Sequence, residues 1–170
     1  MEHDRPFILT SLLAVLLIAA PVRYTLAASP GDRPGDGVQL RGWLHVEDLS
    51  MRQAVLKVYV NGTVTEVRMS ESGRFDLELP VNAKARLRFE NPGHLPKEID
   101  VDTRHARDGL FGRKPRQVRF GVILELERHM GRLNYAGPVG AIRFDAEGGC
   151  LAVDHDKQLV PQKKNKPMVF

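Results

Sequence analysis

Apolar and polar positions alternate in short runs between residues 40 and 103, with turn-forming residues between the runs. In Arg74-Phe75-Asp76-Leu77-Glu78-Leu79, the apolar side chains Phe75, Leu77 and Leu79 fall on one side of an extended chain and the charged ones on the other. Successive side chains of a strand point to opposite faces, so a period of two marks a half-buried strand. The same rule predicts strands over 39–44, 54–60, 63–67, 85–90 and 98–102. The second and third flank Asn61-Gly62, a pair that tolerates the two positive φ angles of a type I′ turn and so predicts a hairpin. Ser70-Glu71-Ser72-Gly73 predicts a turn into the Phe75 strand, Pro80-Val81-Asn82 a break after it, and Asn91-Pro92-Gly93 another turn.

From 105 to 115 the alternation stops, and Gly109, Gly112 and Pro115 punctuate a loop. It resumes over 118–126, with Val118, Phe120, Val122, Leu124 and Leu126 expected inward. Further strands are expected over 141–145 and 151–153, and the chain after Val160 is polar. No helical period is sustained after residue 27. Many short strands with turn residues between them predict an all-β chain folded as an antiparallel β-sandwich, transthyretin-like or Ig-like.

The N-terminus adds a compartment. Residues 7–20 are apolar except Thr10 and Ser11, a run of fourteen that is short for a bilayer span. Pro21 and then Thr25-Leu26-Ala27-Ala28 follow, so residues 1–27 read as a cleaved secretory signal peptide. Residues 28–38, rich in Pro, Gly and Asp, read as a flexible leader, 39–160 as one sandwich domain and 161–170 as a basic polar tail. Cys150 is the single cysteine, which excludes an internal disulfide. Export without disulfides fits a bacterial periplasm or cell surface better than a cross-linked secreted protein. The net charge of +4 is unevenly spread: residues 103–119 carry +5 and residues 157–170 another +4.

The stretch 40–103 resembles the carboxypeptidase regulatory-like domain, a transthyretin-like sandwich akin to surface-protein B-type repeats. The features that carry the resemblance are Leu40-Arg41-Gly42, Ala54-Val55 before Lys57-Val58-Tyr59-Val60, and Gly73-Arg74-Phe75-Asp76-Leu77 with Pro80. Leu87-Arg88-Phe89 and Asn91-Pro92-Gly93-His94 complete it. The resemblance implies that the Gly73 phrase marks where the chain crosses the sandwich, with Phe75 in the core. It implies a binding, spacing or folding-support module without catalysis, and this is analogy at the level of fold.

Candidate chemistry is sparse. No histidine has Glu three residues on, although His45 and His105 have Asp there (Asp48 and Asp108), and no Gly-x-Ser-x-Gly elbow is present. Cys150 near Asp154 and His155 suggests a Cys-based hydrolase only if an ordered His lowers its pKa. Asp154-His155-Asp156 suggests a metal-dependent one, but on a strand His155 points away from both Asp neighbours. The expectation is therefore no metal, no cofactor and no catalytic residue. Asn61-Gly62-Thr63 is a glycosylation sequon that the hairpin turn already explains. A carbohydrate-binding module needs exposed aromatics, and Trp43, in an apolar first strand, is expected in the core. The remaining candidate is the basic loop, with Arg104, Arg107, Phe111, Arg113, Lys114 and Arg116 as contacts for an envelope protein or an anionic surface. Nucleic acid is not expected because no aromatic platform interleaves these charges; membrane contact, if any, is peripheral.

Overall fold

The computed structural model describes residues 24–25, 37–47, 51–108, 116–147 and 151–162. Its strands are β1 (Tyr24–Thr25), β2 (Val38–Val46), β3 (Val55–Val60), β4 (Thr63–Arg68), β5 (Arg74–Leu79) and β6 (Lys84–Glu90). They continue with β7 (Lys97–Asp102), β8 (Arg116–Leu124), β9 (Leu133–Tyr135), β10 (Gly140–Phe144), β11 (Leu151–His155) and β12 (Leu159–Pro161). A four-stranded sheet, β1-β5-β2-β8, packs on a six-stranded sheet, β11-β10-β7-β6-β3-β4, while β9 and β12 form a separate ribbon. The fold is an all-β sandwich. Among the described residues no helix is long and apolar enough to cross a membrane.

The hairpin forms as expected, with Asn61 at φ 49° and Gly62 at φ 79° between β3 and β4. The Gly73 turn then carries the chain from one sheet to the other. Gly73 has φ 76°, its carbonyl accepts the Leu44 N–H at 2.8 Å, and a Cβ on it would stand 2.1 Å from the Leu44 carbonyl oxygen. Only glycine fits both the backbone and the space. Phe75 then enters the core, with ring centres 5.5 Å from Phe89 and 5.4 Å from Phe120. Around it Leu40, Leu56, Val58, Leu77, Leu87 and Leu124 are fully buried.

The sheets are mixed rather than purely antiparallel. β8 runs parallel to β2, β10 parallel to β7, and β1 parallel to β5. Local patterning predicts strands but not their partners, so these long-range pairings lie outside its reach. Val38, placed in the leader by composition, is instead the first residue of β2, because its buried side chain pairs in register with Leu79. At the other end Pro161 belongs to β12, and the Gln162 N–H donates to the Arg132 carbonyl, so the tail begins later than expected. The proposed signal segment lies outside the described residues except for Tyr24 and Thr25, which sit on the edge of β5.

Candidate functional site

Along β2 the even-numbered residues Val38, Leu40, Leu44 and Val46 are buried, which turns Gln39, Arg41, Trp43 and His45 to the outer face. Trp43 is 55% exposed, which corrects the expectation that it lies in the core. Strand parity decides its position: the inward place beside it belongs to Gly42, where a Cβ would meet the Phe75 ring at 2.6 Å. On the outer face Trp43 is in register with Gly121 of β8 and Arg74 of β5. The nitrogen edge of the indole fills the space a Cβ on Gly121 would need, with Cε2 at 2.6 Å and Nε1 at 2.7 Å. Gly121 thus seats the ring against the sheet.

The surroundings of the ring are polar and cationic. Arg41 Nε donates to Asp76 Oδ2 at 2.8 Å, and Gln39 Nε2 donates to Asp76 Oδ1 at 3.0 Å. Arg68, Arg74 and Arg119 are exposed and have no carboxylate partner among the described residues. Together with Trp43, His45 and Ser72 they border a shallow depression of about 870 Å³. An exposed indole beside guanidinium groups that lack a carboxylate partner among the described residues can stack on a flat apolar surface while the arginines donate hydrogen bonds to an anion.

The predicted contact residues of the basic stretch divide. Phe111, Arg113 and Lys114 lie outside the described residues. Arg104 is exposed but engaged with Asp102, whose carboxyl the guanidinium hydrogen bond holds below the usual carboxylate range. Arg116 is half-buried; its Nε donates to the Ala106 carbonyl at 2.8 Å and its guanidinium lies 5.8 Å from the Phe144 ring centre. Arg107 is half-buried and also has partners. Of the described three, Arg104 and Arg116 are engaged with their own surroundings, Asp102 and the Ala106 carbonyl.

A second polar group was not visible in the sequence. Lys97, nearly fully buried, meets Glu125 Oε2 at 2.6 Å and lies 5.4 Å from the Tyr135 ring centre. The Tyr135 hydroxyl donates to the same carboxylate oxygen at 2.7 Å. Burial works to raise the Glu125 carboxyl, but the hydrogen bonds from Lys97 and Tyr135 prevail and hold it below its ordinary value. Burial, then the hydrogen bond to the Glu125 carboxylate, pushes the Tyr135 phenol up. These residues come from β7, the segment after β8, and β9, which their mutual attraction ties together.

Asp154 pairs with Arg143 of β10, and His155 lies opposite Gly140. Among the described residues no three His, Cys, Asp or Glu side chains converge as metal ligands would. His105 Nδ1 and Asp108 Oδ2 are 2.6 Å apart, a local turn contact. Cys150 lies outside the described residues.

Comparison with known proteins shows no matching family model and no matching curated protein. Solved structures resemble parts of the chain. One is a type II cohesin–X–dockerin complex from Acetivibrio cellulolyticus, at 12% identity over 53% of this chain and 58% of that one, TM-score 0.37. Another is 3-chlorocatechol 1,2-dioxygenase from Rhodococcus opacus, at 13% identity over 61% and 64%, TM-score 0.41. A third is the dioxygenase domain of a dioxygenase–carbohydrate-binding fusion from a Streptomyces species, at 13% identity over 63% and 92%, TM-score 0.40. The chain thus spans under two thirds of the length of the first two.

Proposed function

We propose that the chain is an exported, non-catalytic binding module of the carboxypeptidase regulatory-like kind, working at a bacterial cell envelope. Its ligand, in this proposal, is an acidic polysaccharide held on the outer face of the four-stranded sheet. The observation that carries the ligand class is the exposed indole of Trp43 among Arg68, Arg74 and Arg119. A sugar ring presents an apolar C–H face that suits an indole, and a uronate carboxylate accepts the paired N–H donors of a guanidinium. An acidic partner surface is the coarser form of the same preference, since unpaired cations on an exposed face attract anionic counterparts. Export is supported by the apolar run 7–20 and the small residues after it.

Affinity gel electrophoresis tests the reading. The protein should be retarded by polygalacturonate and not by neutral dextran, and Trp43→Ala should remove at least about 90% of the retardation, as loss of a central aromatic contact does. Equal migration of the native protein with and without acidic polysaccharides would overturn the ligand class.

A further inference from the structure

Among the described residues the sandwich is one strand short on one side. Beyond β7 the six-stranded sheet continues through β10 to β11, whereas the four-stranded sheet stops at β8. Val153 and Leu151 of β11 are in register with Ile142 and Phe144 of β10, so all four face the same side of the sheet. Ile142 and Phe144 are buried, but Leu151 and Val153 are 48% and 49% exposed. The apolar inner face therefore extends past the strand that should cover it. A groove of about 300 Å³ results, walled by Phe120 and Val122 on β8, Ile99 on β7, and Leu151 and Val153 on β11. Phe120, expected inward, is only half-buried because it stands at this opening.

Among the described residues β8 is also an open edge. It is nine residues long and pairs only with β2 among the described residues, so alternate backbone N–H and C=O groups along it point away from the sheet. Long edges are ordinarily blunted by charge, proline or a bulge. Arg119 is the only charged residue in the interior of β8, and the strand holds no proline. A fifth strand hydrogen-bonded to β8 would lie over Leu151 and Val153 and close the groove, the geometry of strand addition.

We infer that this edge accepts an extended segment of another polypeptide in which apolar and acidic residues alternate. The apolar set follows from the uncovered inner face. The acidic set follows from charge: around the groove Lys97 is matched by Glu125 and Asp154 by Arg143, while Arg119 and Lys157 have no carboxylate partner among the described residues. Alternate residues of an added strand would face either the groove or the exposed row of Gln117, Arg119 and Ile123. The inference does not depend on the polysaccharide reading.

The test uses a synthetic peptide of alternating valine and glutamate, about nine residues long to match β8, with a valine–lysine peptide as control. Binding is read by fluorescence anisotropy and by amide hydrogen exchange. The acidic peptide should slow exchange of alternate amides within residues 116–124, and the lysine peptide should bind at least about tenfold more weakly. Val153→Asp and Arg119→Glu should each weaken the acidic peptide by about tenfold, whereas Trp43→Ala should leave it unchanged. Both substituted residues are exposed, so the fold tolerates the changes, and native exchange elsewhere in the variants verifies this. Equal binding of the two peptides, or binding without protection of β8, would overturn the inference. So would protection of the same amides on concentrating the protein without peptide, since the edge would then pair with a second copy.

Discussion

The two outer faces of the sandwich treat their charges in opposite ways. On the six-stranded sheet, Arg86 meets Asp100 at 2.7 Å, Arg88 meets Glu98 at 2.7 Å, and Lys57 meets Glu90 at 2.7 Å. These are cross-strand pairs, and each is satisfied within the face. On the four-stranded sheet, Asp76 is taken by Arg41 and Gln39, and Arg74 and Arg119 near Trp43 are left without an acid among the described residues, as is Arg68 at the end of β4, at the border of the two sheets. A face that neutralises itself supports its own sheet and offers little to a ligand. A face with unmatched cations and an exposed ring is the one that would attract an anionic partner.

The comparison can be broken or sharpened by substitution. The largest effect is expected at the core both faces share: Phe75→Ala should destabilise the protein by about 3–5 kcal/mol in urea denaturation, because the ring packs on Phe89 and Phe120. Such a loss would reach both faces alike.

Next comes Lys97→Met, expected to cost about 2 kcal/mol at neutral pH, since it strips the cation from a partly buried carboxylate. The sign with pH is fixed. Glu125 is held below its ordinary value in the folded protein, so its contribution is present above the unfolded pKa of about 4.3 and is lost as pH falls through the folded one. The variant should therefore show a flatter loss of stability below about pH 4 than the native protein.

Arg88→Ala should cost roughly 0.5–1 kcal/mol, fade in high salt, and leave polysaccharide retardation unchanged. If it abolished retardation, the contrast between the faces would fail. The smallest stability effect is expected for Gly121→Ala, below about 1 kcal/mol, because the obstructing atoms belong to an exposed side chain that can swing away. Its effect on retardation should nonetheless approach that of Trp43→Ala, since the ring would lose its seat. Retention of full retardation would separate ligand binding from the ring's position.

Most of the fold was legible wherever the signal was local. The Asn61-Gly62 turn, the Gly73 crossing and the alternation through Leu79 each follow from short-range chemistry. The ribbon of β9 and β12 was missed because each strand has three residues, too few to show a period. Lys97 reads as a strand flank because its partners, Glu125 and Tyr135, are remote in sequence. Trp43 was misplaced for a different reason. Its apolar neighbour Leu44 suggested a buried run, but the spacing of Leu40 and Leu44 already assigns Trp43 to the opposite face. The signal that would have found the candidate site was therefore present: an aromatic residue on the polar parity of a strand.

The parallel pairing of β2 with β8 also bears on how the protein comes to be folded. The two strands meet across contacts such as Gln39 with Gln117, separated by 78 residues. The β3–β4 hairpin and the β6–β7 pair close over far shorter loops and can form early. The four-stranded sheet cannot reach its full width until the chain has been traversed into its last third, so β8 docks late. Until it does, the other edge of β2 and the inner faces of Val118 and Val122 are bare together. During that interval the chain is most exposed to wrong pairing with its neighbours. The rate at which β8 docks, more than the depth of the final energy well, should decide how cleanly this protein folds at high concentration.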